Sequence, residues 1–286
     1  MVRPADAAAD VPIPARLQRL LHSRRAEVRA DRRRGEGRLA RVPVPPVVPG
    51  GVRSAVNEPR FHATPEEAVA RRVREKVFVE GRTFLIERPD GTDQAFDHPA
   101  VRSAFASDDY TPYWADLWPA GRMLAKAILK FPWPREPMRV LEIGCGLGLG
   151  GLAALACGHH VTFADCDETA VQFAVRNAML YGYANFAARP MDVRSPPGVT
   201  FPVIVGSDLM YEYPMVEPLA AFLKAVLSPN GVALITDPDR KSSRHFGDAA
   251  RDVGLHVAPE FVRAGEPGGE RTKGTLYRLM HAPEFS

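Results

Sequence analysis

Residues 139–151 constrain the fold most strongly, because an apolar strand there runs into a glycine-rich loop that opens a helix. The segment is Arg-Val-Leu-Glu-Ile-Gly-Cys-Gly-Leu-Gly-Leu-Gly-Gly, and an Ala- and Leu-rich stretch follows it at residues 152–157. At the carboxyl end of a parallel strand, glycines let a ligand approach the backbone closely, and the helix N-terminus presents unpaired N–H groups. The segment therefore predicts the floor of a site for a nucleotide-like ligand.

Two ligand frames fit this loop. From Gly146, the pattern Gly-Leu-Gly-Leu-Gly-Gly fits a dinucleotide fingerprint, and Asp165 follows at the spacing of about 20 residues expected for a ribose contact. From Glu142, an acidic residue lies two positions before the first glycine, Gly144. A carboxylate at that point would repel a pyrophosphate and suits a cofactor with a cationic amino-acid end. A glycine-rich turn without a ligand is the remaining alternative.

Composition and charge narrow the class of protein. The 286-residue chain is 45% hydrophobic and 25% charged, and its net charge of +3 conceals an asymmetry. Residues 1–60 hold 13 arginines against 6 acidic residues, a net charge of +7, so the remaining residues carry −4. Because the basic character lies in this leader, charge gives no reason to expect a nucleic-acid substrate. No apolar run is long enough for a transmembrane helix, and three cysteines, expected to be buried free thiols, favour a cytoplasmic location.

Proline content and periodicity divide the chain into three regions. Residues 1–60 form a basic Ala/Arg/Pro-rich leader that we expect to be partly disordered, with a docking arm for an acidic partner or membrane surface as the alternative. Residues 61–109 form an N-terminal extension, in which a helix runs from Thr64 to about Lys76 and a β-hairpin turns at Gly81. Residues 110–286 are predicted to be the cofactor-binding domain.

Strands and helices alternate regularly in the rest of the chain. Strands are predicted at 138–144, 160–165, 185–192, 202–208, 231–237, 256–263 and 274–281, and helices at 120–130, 148–158, 168–181, 214–227 and 242–253. Such alternation predicts a parallel sheet with helices on both faces. No helix separates the last two strands, so they should pair with each other. The predicted fold class is therefore α/β, a Rossmann-like seven-stranded, mostly parallel sheet with a C-terminal antiparallel β-hairpin.

Each of the first five predicted strands ends near an acidic residue, at the edge where such sheets bind ligands. These residues are Glu142, Asp165, Asp192, Asp208 and Asp237. We expect Asp165 to accept hydrogen bonds from both ribose hydroxyls, and Asp192 to accept one from the adenine amino group. For Asp208, a helix N-cap is the structural alternative to a ligand contact.

Residues 110–122 concentrate aromatic side chains just before a helix, in the segment Tyr-Thr-Pro-Tyr-Trp-Ala-Asp-Leu-Trp-Pro-Ala-Gly-Arg. Trp114 and Trp118 are both candidates for the core. Near a cofactor loop, an aromatic ring can also stack on adenine or contact a sulfonium through a cation–π interaction. Both interpretations stay open at this point.

The strand ends resemble the motifs of class I S-adenosylmethionine (SAM) methyltransferases, the seven-β-strand class, over residues 110–282. The matching positions are Glu142-x-Gly144-x-Gly146-x-Gly148, Asp165, Asp192 and Asp208. More narrowly, Asp208-Leu-Met-Tyr211 is similar to the Asp-x-x-Tyr motif of protein-lysine methyltransferases in that class. Segments 112–121 and 237–240 are similar to the subgroup that methylates the electron-transfer flavoprotein β subunit, although Asp239 stands where that subgroup has a glycine.

The resemblance implies SAM as the cofactor and S-adenosylhomocysteine as its product. It implies that Asp208 and Tyr211 are catalytic residues that face the acceptor amine, and that no metal is needed. Together with the strand ends, it predicts cofactor contacts from Trp118, Glu142, Gly144, Cys145, Gly146, Gly148, Asp165, Cys166, Asp192, Val193 and Asp208.

The expected function is therefore SAM-dependent methylation of an amine, with a lysine of a protein such as the electron-transfer flavoprotein β subunit as the first hypothesis. Three alternatives stay open: a small-molecule amine as the acceptor, an NAD-dependent oxidoreductase, and a non-enzymatic SAM-binding module. Because acceptor choice lies in loops, the sequence does not separate a protein lysine from a small amine. The sequence indicates no oligomeric state.

Overall fold

Residues 72–90, 113–266 and 268–282 are described by the computed structural model of the protein. The basic leader, the start of the predicted N-terminal helix and residues 91–112 lie outside these ranges. Apart from residues 132–134, the described residues belong to one compact unit. None of the helices within these ranges combines the length and apolar character needed to cross a membrane.

The described chain begins with a two-stranded antiparallel hairpin. Strand β1 (Arg72–Val79) pairs with strand β2 (Arg82–Pro89) along its whole length, as predicted for the region around the turn. The helix expected to reach about Lys76 is wrong for residues 72–76, which lie in β1. Polar and apolar side chains alternate at the end of this strand, and Val77 and Val79 are buried. Cross-strand pairing of this alternating segment outweighs its local helix propensity.

Seven further strands form the main sheet. In chain order they are β3 (Arg139–Ile143), β4 (His160–Asp165), β5 (Phe186–Pro190), β6 (Phe201–Ser207), β7 (Leu227–Asp237), β8 (Leu255–Ala264) and β9 (Thr272–His281). The spatial order is β5-β4-β3-β6-β7-β9-β8. The first five of these are parallel neighbours, whereas β9 pairs antiparallel with both β7 and β8. This confirms the predicted Rossmann-like α/β class and its C-terminal antiparallel hairpin.

α-Helices precede or follow most strands of the main sheet. They are α1 (Pro119–Lys130), α2 (Leu149–Ala156), α3 (Glu168–Met179), α4 (Val216–Val226) and α5 (Phe246–Asp252). The predicted helix at 242–253 begins as a 3-10 turn, Ser242–His245, before α5. Strand β7 also begins earlier than the predicted residue 231. The other predicted elements after residue 119 differ from the observed ones mainly at their ends.

The central strands explain where a ligand can enter. Leu141 of β3, Ile204 of β6 and Ile235 of β7 are almost completely inaccessible to solvent, and Phe222 of α4 packs into the same core cluster. From β3 the chain passes to β4 and β5 on one side, and only later to β6 and β7 on the other. Loops that leave in opposite directions open a crevice at the carboxyl edge, the usual ligand position in such sheets.

Candidate active site

A cavity of about 560 Å³ opens at the carboxyl edge of the parallel strands. Its walls come from the loop after β3, the ends of β4 and β6, the segment after β5 and residues 113–121. It brings together every predicted site residue except one. Those lining it are Trp118, Glu142, Gly144, Cys145, Gly146, Asp165, Cys166, Asp192, Val193, Asp208 and Tyr211.

Gly148 is the predicted site residue that is not part of the cavity lining. It has a φ of 82° and lies at the N-cap of α2. A Cβ on Gly148 would lie 2.9 Å from the Cβ of Ala174 on α3 and 3.1 Å from the ring of Phe163. The structure therefore gives Gly148 a turning and packing role between elements, and the cofactor contact expected of it stays a prediction.

The glycines that do line the cavity adopt conformations that other residues rarely take. Gly144 has a φ of 54° and Gly146 a φ of 48°. A Cβ on Gly144 would collide with the side chain of Leu209. Cys145, between them, is buried, and its N–H donates to the carbonyl of Ala164 on β4 at 3.0 Å. The loop therefore presents backbone to the cavity while remaining tied to the sheet.

Glu142 links β3 to the start of α2. Its side chain is almost fully buried, and its Oε2 accepts a hydrogen bond from the N–H of Gly151 at 2.9 Å. Side chains at Gly150 and Gly151 would collide with this carboxyl group or approach it too closely, so both glycines make room for it. Burial raises the pKa of Glu142 from 4.5 to about 8. The hydrogen bonds from the helix N-terminus lower this pKa, but burial has the larger effect. A nearby cation would favour its ionised form.

Asp165 ties the ends of β3 and β4 together. Its Oδ2 accepts from the N–H of Gly146 at 2.9 Å, and its Oδ1 accepts from the N–H of Asp167 at 3.1 Å. Burial raises the pKa of Asp165 above its ordinary value. The Cys166 thiol also donates to Oδ1 at 3.6 Å, so the free lone pair of Oδ2 is the capacity left for a ligand hydroxyl. Asp167 caps α3 by accepting from Thr169 and Ala170.

Asp192 is engaged by an arginine that was not predicted as a site residue. Its Oδ1 accepts from the backbone N–H of Arg194 at 2.8 Å, and its Oδ2 accepts from the Nη2 of that residue at 2.7 Å. These hydrogen bonds hold the pKa of Asp192 below its ordinary value. Arg194 also lines the cavity, and its position two residues after an acidic strand end was the available sequence indication. Asp192 is therefore ionised at neutral pH.

The three thiols differ in exposure. Cys145 is buried as expected, Cys157 is partly buried and Cys166 is exposed, which corrects the expectation of three buried thiols. All three are free. Cys166 directly follows Asp165, the last residue of β4, and its side chain lines the cavity.

The two tryptophans have different surroundings. Trp114 is buried and its ring centre lies 5.5 Å from that of Phe173, so it packs in the part of the core that borders the cavity. Trp118 is 36% exposed, lines the cavity and donates its Nε1–H to the carbonyl of Tyr113 at 2.6 Å. The ring of Tyr113 also lies 5.2 Å from that of Tyr211. Tyr113 was missed as a site residue, although it belongs to the aromatic segment noted in the sequence.

Asp208 lies at the end of β6 in a left-handed conformation, with a φ of 55°. It does not cap a helix, because the next helical turn, Tyr213–Met215, has Glu212 at its N-cap. Its carboxylate instead accepts from the Nε of Arg240 at 2.5 Å and from the Nη2 at 3.0 Å. Arg240 lines the cavity and was not predicted as a site residue. The available sequence indications were its position after the fifth strand and its place in the segment 237–240.

The cavity fits the predicted cofactor better than a dinucleotide. Carboxyl groups from successive strand ends surround a loop whose glycines leave space for a ligand. The carboxyl oxygens can accept hydrogen bonds from hydroxyl and ammonium groups. The two arginines of the wall, which could otherwise bind a pyrophosphate, are already paired with Asp192 and Asp208. Across 72–90, 113–266 and 268–282, no group of three or more His, Cys, Asp or Glu side chains is arranged to hold a metal ion.

A family model described as a methyltransferase domain matches residues 117–282, more than half of the chain. The chain belongs to this methyltransferase family. The matched range holds the glycine loop and all five acidic strand ends, and this confirms the resemblance to class I SAM methyltransferases. It also decides against the NAD-dependent oxidoreductase alternative.

The methyltransferase is similar to curated proteins with named acceptors. It is 29% identical over 131 residues to the electron transfer flavoprotein beta subunit lysine methyltransferase of Danio rerio, covering 45% of this chain and 51% of that protein. It is 31% identical over 184 residues to the ribosomal protein L11 methyltransferase of Syntrophotalea carbinolica, covering 64% of this chain and 58% of that protein. The chain thus spans little more than half the length of these relatives. The crystal structure of ribosomal protein L11 methylase from Lactobacillus delbrueckii subsp. bulgaricus matches 57% of this chain and 79% of that one, with 19% identity and a TM-score of 0.47.

Proposed function

We propose that this methyltransferase transfers a methyl group from SAM to the side-chain amine of a lysine in another protein. The observation that carries the proposal is the shared cavity of the glycine loop and the carboxyl groups of Glu142, Asp165, Asp192 and Asp208. The oxygens of these carboxyl groups can accept hydrogen bonds from the hydroxyl and ammonium groups of a cofactor and from an acceptor amine.

The cofactor is assigned to the half of the cavity formed by β3, β4 and the segment after β5. When bound, SAM supplies a methyl group that its sulfonium makes electrophilic. Asp165 would accept from a ribose hydroxyl through the free lone pair of its Oδ2, and Asp192 with Val193 would hold the adenine. Glu142 would favour the cationic amino-acid end, and the ring of Trp118 would take a positive charge or the adenine.

The acceptor is assigned to the end of β6. A lysine amine has an ordinary pKa of about 10.4, so it has to lose a proton before it can attack. Asp208 accepts a hydrogen bond from the amine and orients its lone pair. Burial raises the pKa of Tyr211 to about 12, so its phenol keeps its proton at neutral pH and can exchange hydrogen bonds with the amine.

The names of the relatives support a protein as the acceptor, because they refer to the electron transfer flavoprotein beta subunit and to ribosomal protein L11. We place the electron-transfer flavoprotein β subunit first among candidate acceptors, because the relatives of this chain that are named for that subunit are also named as lysine methyltransferases. A small-molecule amine is the alternative acceptor. We also propose a cytoplasmic location, because the three cysteines are free thiols.

Incubation of the purified protein with methyl-labelled SAM and electron-transfer flavoprotein tests this proposal. We expect label on a lysine of the β subunit, and we expect Asp208→Asn to slow the transfer by about 100-fold. The matched control is Asp248→Asn, which removes an exposed carboxylate of α5 outside the cavity lining and should keep the wild-type rate. Label found only on small molecules of a cell extract would exclude the protein acceptor. Equal rates for Asp208→Asn and wild type would refute the assigned active site.

A further inference from the structure

The turn after β7 holds the backbone of Arg240 firmly. Asp237, the last residue of β7, is fully buried, and its Oδ1 accepts from the Arg240 N–H at 2.8 Å and from the Ser243 Oγ at 2.7 Å. The neighbouring Asp239 accepts a hydrogen bond from the Oγ1 of Thr275 on β9 at 2.7 Å. Contacts on two adjacent strands therefore fix the point from which the Arg240 side chain extends.

From this point, the guanidinium of Arg240 reaches the end of β6 and forms part of the cavity wall. It binds both oxygens of Asp208, in the two-bond arrangement that arginine favours with carboxylates. Its central carbon lies 5.8 Å from the centre of the Trp118 ring. The Asp208 side chain is 7% exposed and that of Arg240 is 33% exposed, so the carboxylate has little water around it. Arg240 is thus the counter-charge of Asp208 and also touches the proposed cofactor wall.

This pairing changes what Asp208 offers to an acceptor. A buried carboxylate without a counter-charge would bind an alkylammonium ion strongly. It would therefore keep the amine nitrogen protonated. An ammonium ion has no lone pair, so it cannot accept a methyl group. A carboxylate whose charge is already compensated still has a free lone pair on each oxygen. It can therefore accept a hydrogen bond from a neutral amine without favouring the ammonium form.

We propose that Arg240 is a positioning residue that keeps Asp208 charge-compensated, so that the site takes its acceptor amine as the free base. This inference rests on the proposed function. In the transfer, the nitrogen lone pair forms the N–C bond as the S–CH₃ bond breaks, and the bonding pair stays on sulfur. The products are neutral S-adenosylhomocysteine and a methylammonium ion, and that ion releases its extra proton to water. Arg240 takes no part in these bonds and acts through Asp208.

Other ionisable groups face the pair from each neighbouring element. Tyr113 approaches Arg240 from the segment before α1, and Asp237 approaches both partners from β7. Burial raises the pKa of Asp237 above its ordinary value. Tyr211 stays neutral, and Glu212 is exposed to water that screens its charge. The hydrogen bonds to Asp208 raise the pKa of Arg240, so the guanidinium remains charged.

Binding of n-butylammonium, with saturating S-adenosylhomocysteine at neutral pH, tests the role of Arg240 without any methyl transfer. The probe has the length and charge of a lysine side chain, and calorimetry measures its affinity. We expect Arg240→Met, which removes the guanidinium, to bind it about tenfold more tightly than wild type does. Arg240→Lys retains a cation and should keep the weak wild-type affinity. The double variant Arg240→Met/Asp208→Asn should bind n-butylammonium as weakly as wild type does.

The neutral probe 1-butanol separates charge compensation from a change of shape. Its affinity should be the same in wild type and in Arg240→Met. Arg240→Gln serves as a second neutral replacement if the methionine variant does not fold. Equal n-butylammonium affinities in wild type and a folded neutral variant would overturn the inference. It would also be overturned if the affinity for 1-butanol rose in Arg240→Met as much as the affinity for n-butylammonium. Failure of the proposed function would appear separately, as wild-type protein that transfers no methyl group to any amine.

Discussion

Glu142 is a carboxyl group whose ionisation is controlled by burial. It is 3% exposed, and its pKa rises from 4.5 to about 8 in the folded protein. The folded state therefore binds this proton more tightly than the unfolded chain does. The resulting stabilisation is complete below pH 4.5 and is lost as the pH rises to about 8.

Replacement of Glu142 by Gln should remove this pH dependence, because the amide resembles the protonated carboxyl group. We expect the free energy of unfolding of wild type to fall more steeply than that of Glu142→Gln between about pH 5 and pH 8. Chemical denaturation across this range measures both slopes. Glu168→Gln, an exposed change at the start of α3, should retain the wild-type slope. Parallel curves for wild type and Glu142→Gln would contradict the assigned ionisation.

The positions of the site residues could be predicted from the sequence better than the role of each residue. The acidic strand ends could be found from the sequence because each lies at or near the end of a predicted strand, and four of the five line the cavity. The pairing of Asp208 with Arg240 could not be found in this way. It joins residues 32 positions apart through the conformations of two loops, and no local pattern encodes that contact. The sequence also placed Gly148 in the site, although its surroundings are Ala174 and Phe163.

Among the elements, α3 joins the N-terminal hairpin to the glycine loop through one side chain. Asn177 is fully buried, and its Oδ1 accepts from the N–H of Glu87 on β2 at 2.7 Å. Its Nδ2 donates to the carbonyl of Glu87 at 3.1 Å and to that of Leu147 in the glycine loop at 3.0 Å. The amide therefore satisfies three backbone groups on two other elements.

Asn177→Ala should leave these three backbone groups without partners. We expect it to lower the free energy of unfolding by about 2–4 kcal/mol, measured by denaturant titration. Glu168→Ala changes an exposed residue of the same helix and should cost no more than about 0.5 kcal/mol. A loss for Asn177→Ala no larger than that of Glu168→Ala would show that the hairpin and the loop are held by other contacts.

Element types could be predicted well where periodicity and length agree. The strands and helices after residue 138 have the predicted order, because alternating apolar segments of these lengths have few other arrangements. The predicted N-terminal helix is wrong at residues 72–76, because it was extended into Arg72–Val79, whose alternating side chains belong to a strand. Pairing with β2 is a contact that a helix cap does not reveal.

Over the whole molecule, the strand order explains why distant residues share one cavity. Five parallel strands end at the same edge, and the chain departs from β3 in both directions. The glycine loop, the acidic ends of β4 and β6, and the segment after β5 meet there as a consequence. The central claim is that this cavity binds SAM and not a dinucleotide.

Thermal unfolding with added ligands tests this claim most directly. SAM, S-adenosylhomocysteine and NAD would each be added to the purified protein at the same large excess. A ligand at about 100 times its dissociation constant stabilises the folded state by about 2.7 kcal/mol, which raises the midpoint by a few degrees. We predict such a rise with SAM and with S-adenosylhomocysteine, and an unchanged midpoint with NAD. A rise with NAD alone would contradict the account, since it would mean that the loop uses the dinucleotide frame from Gly146.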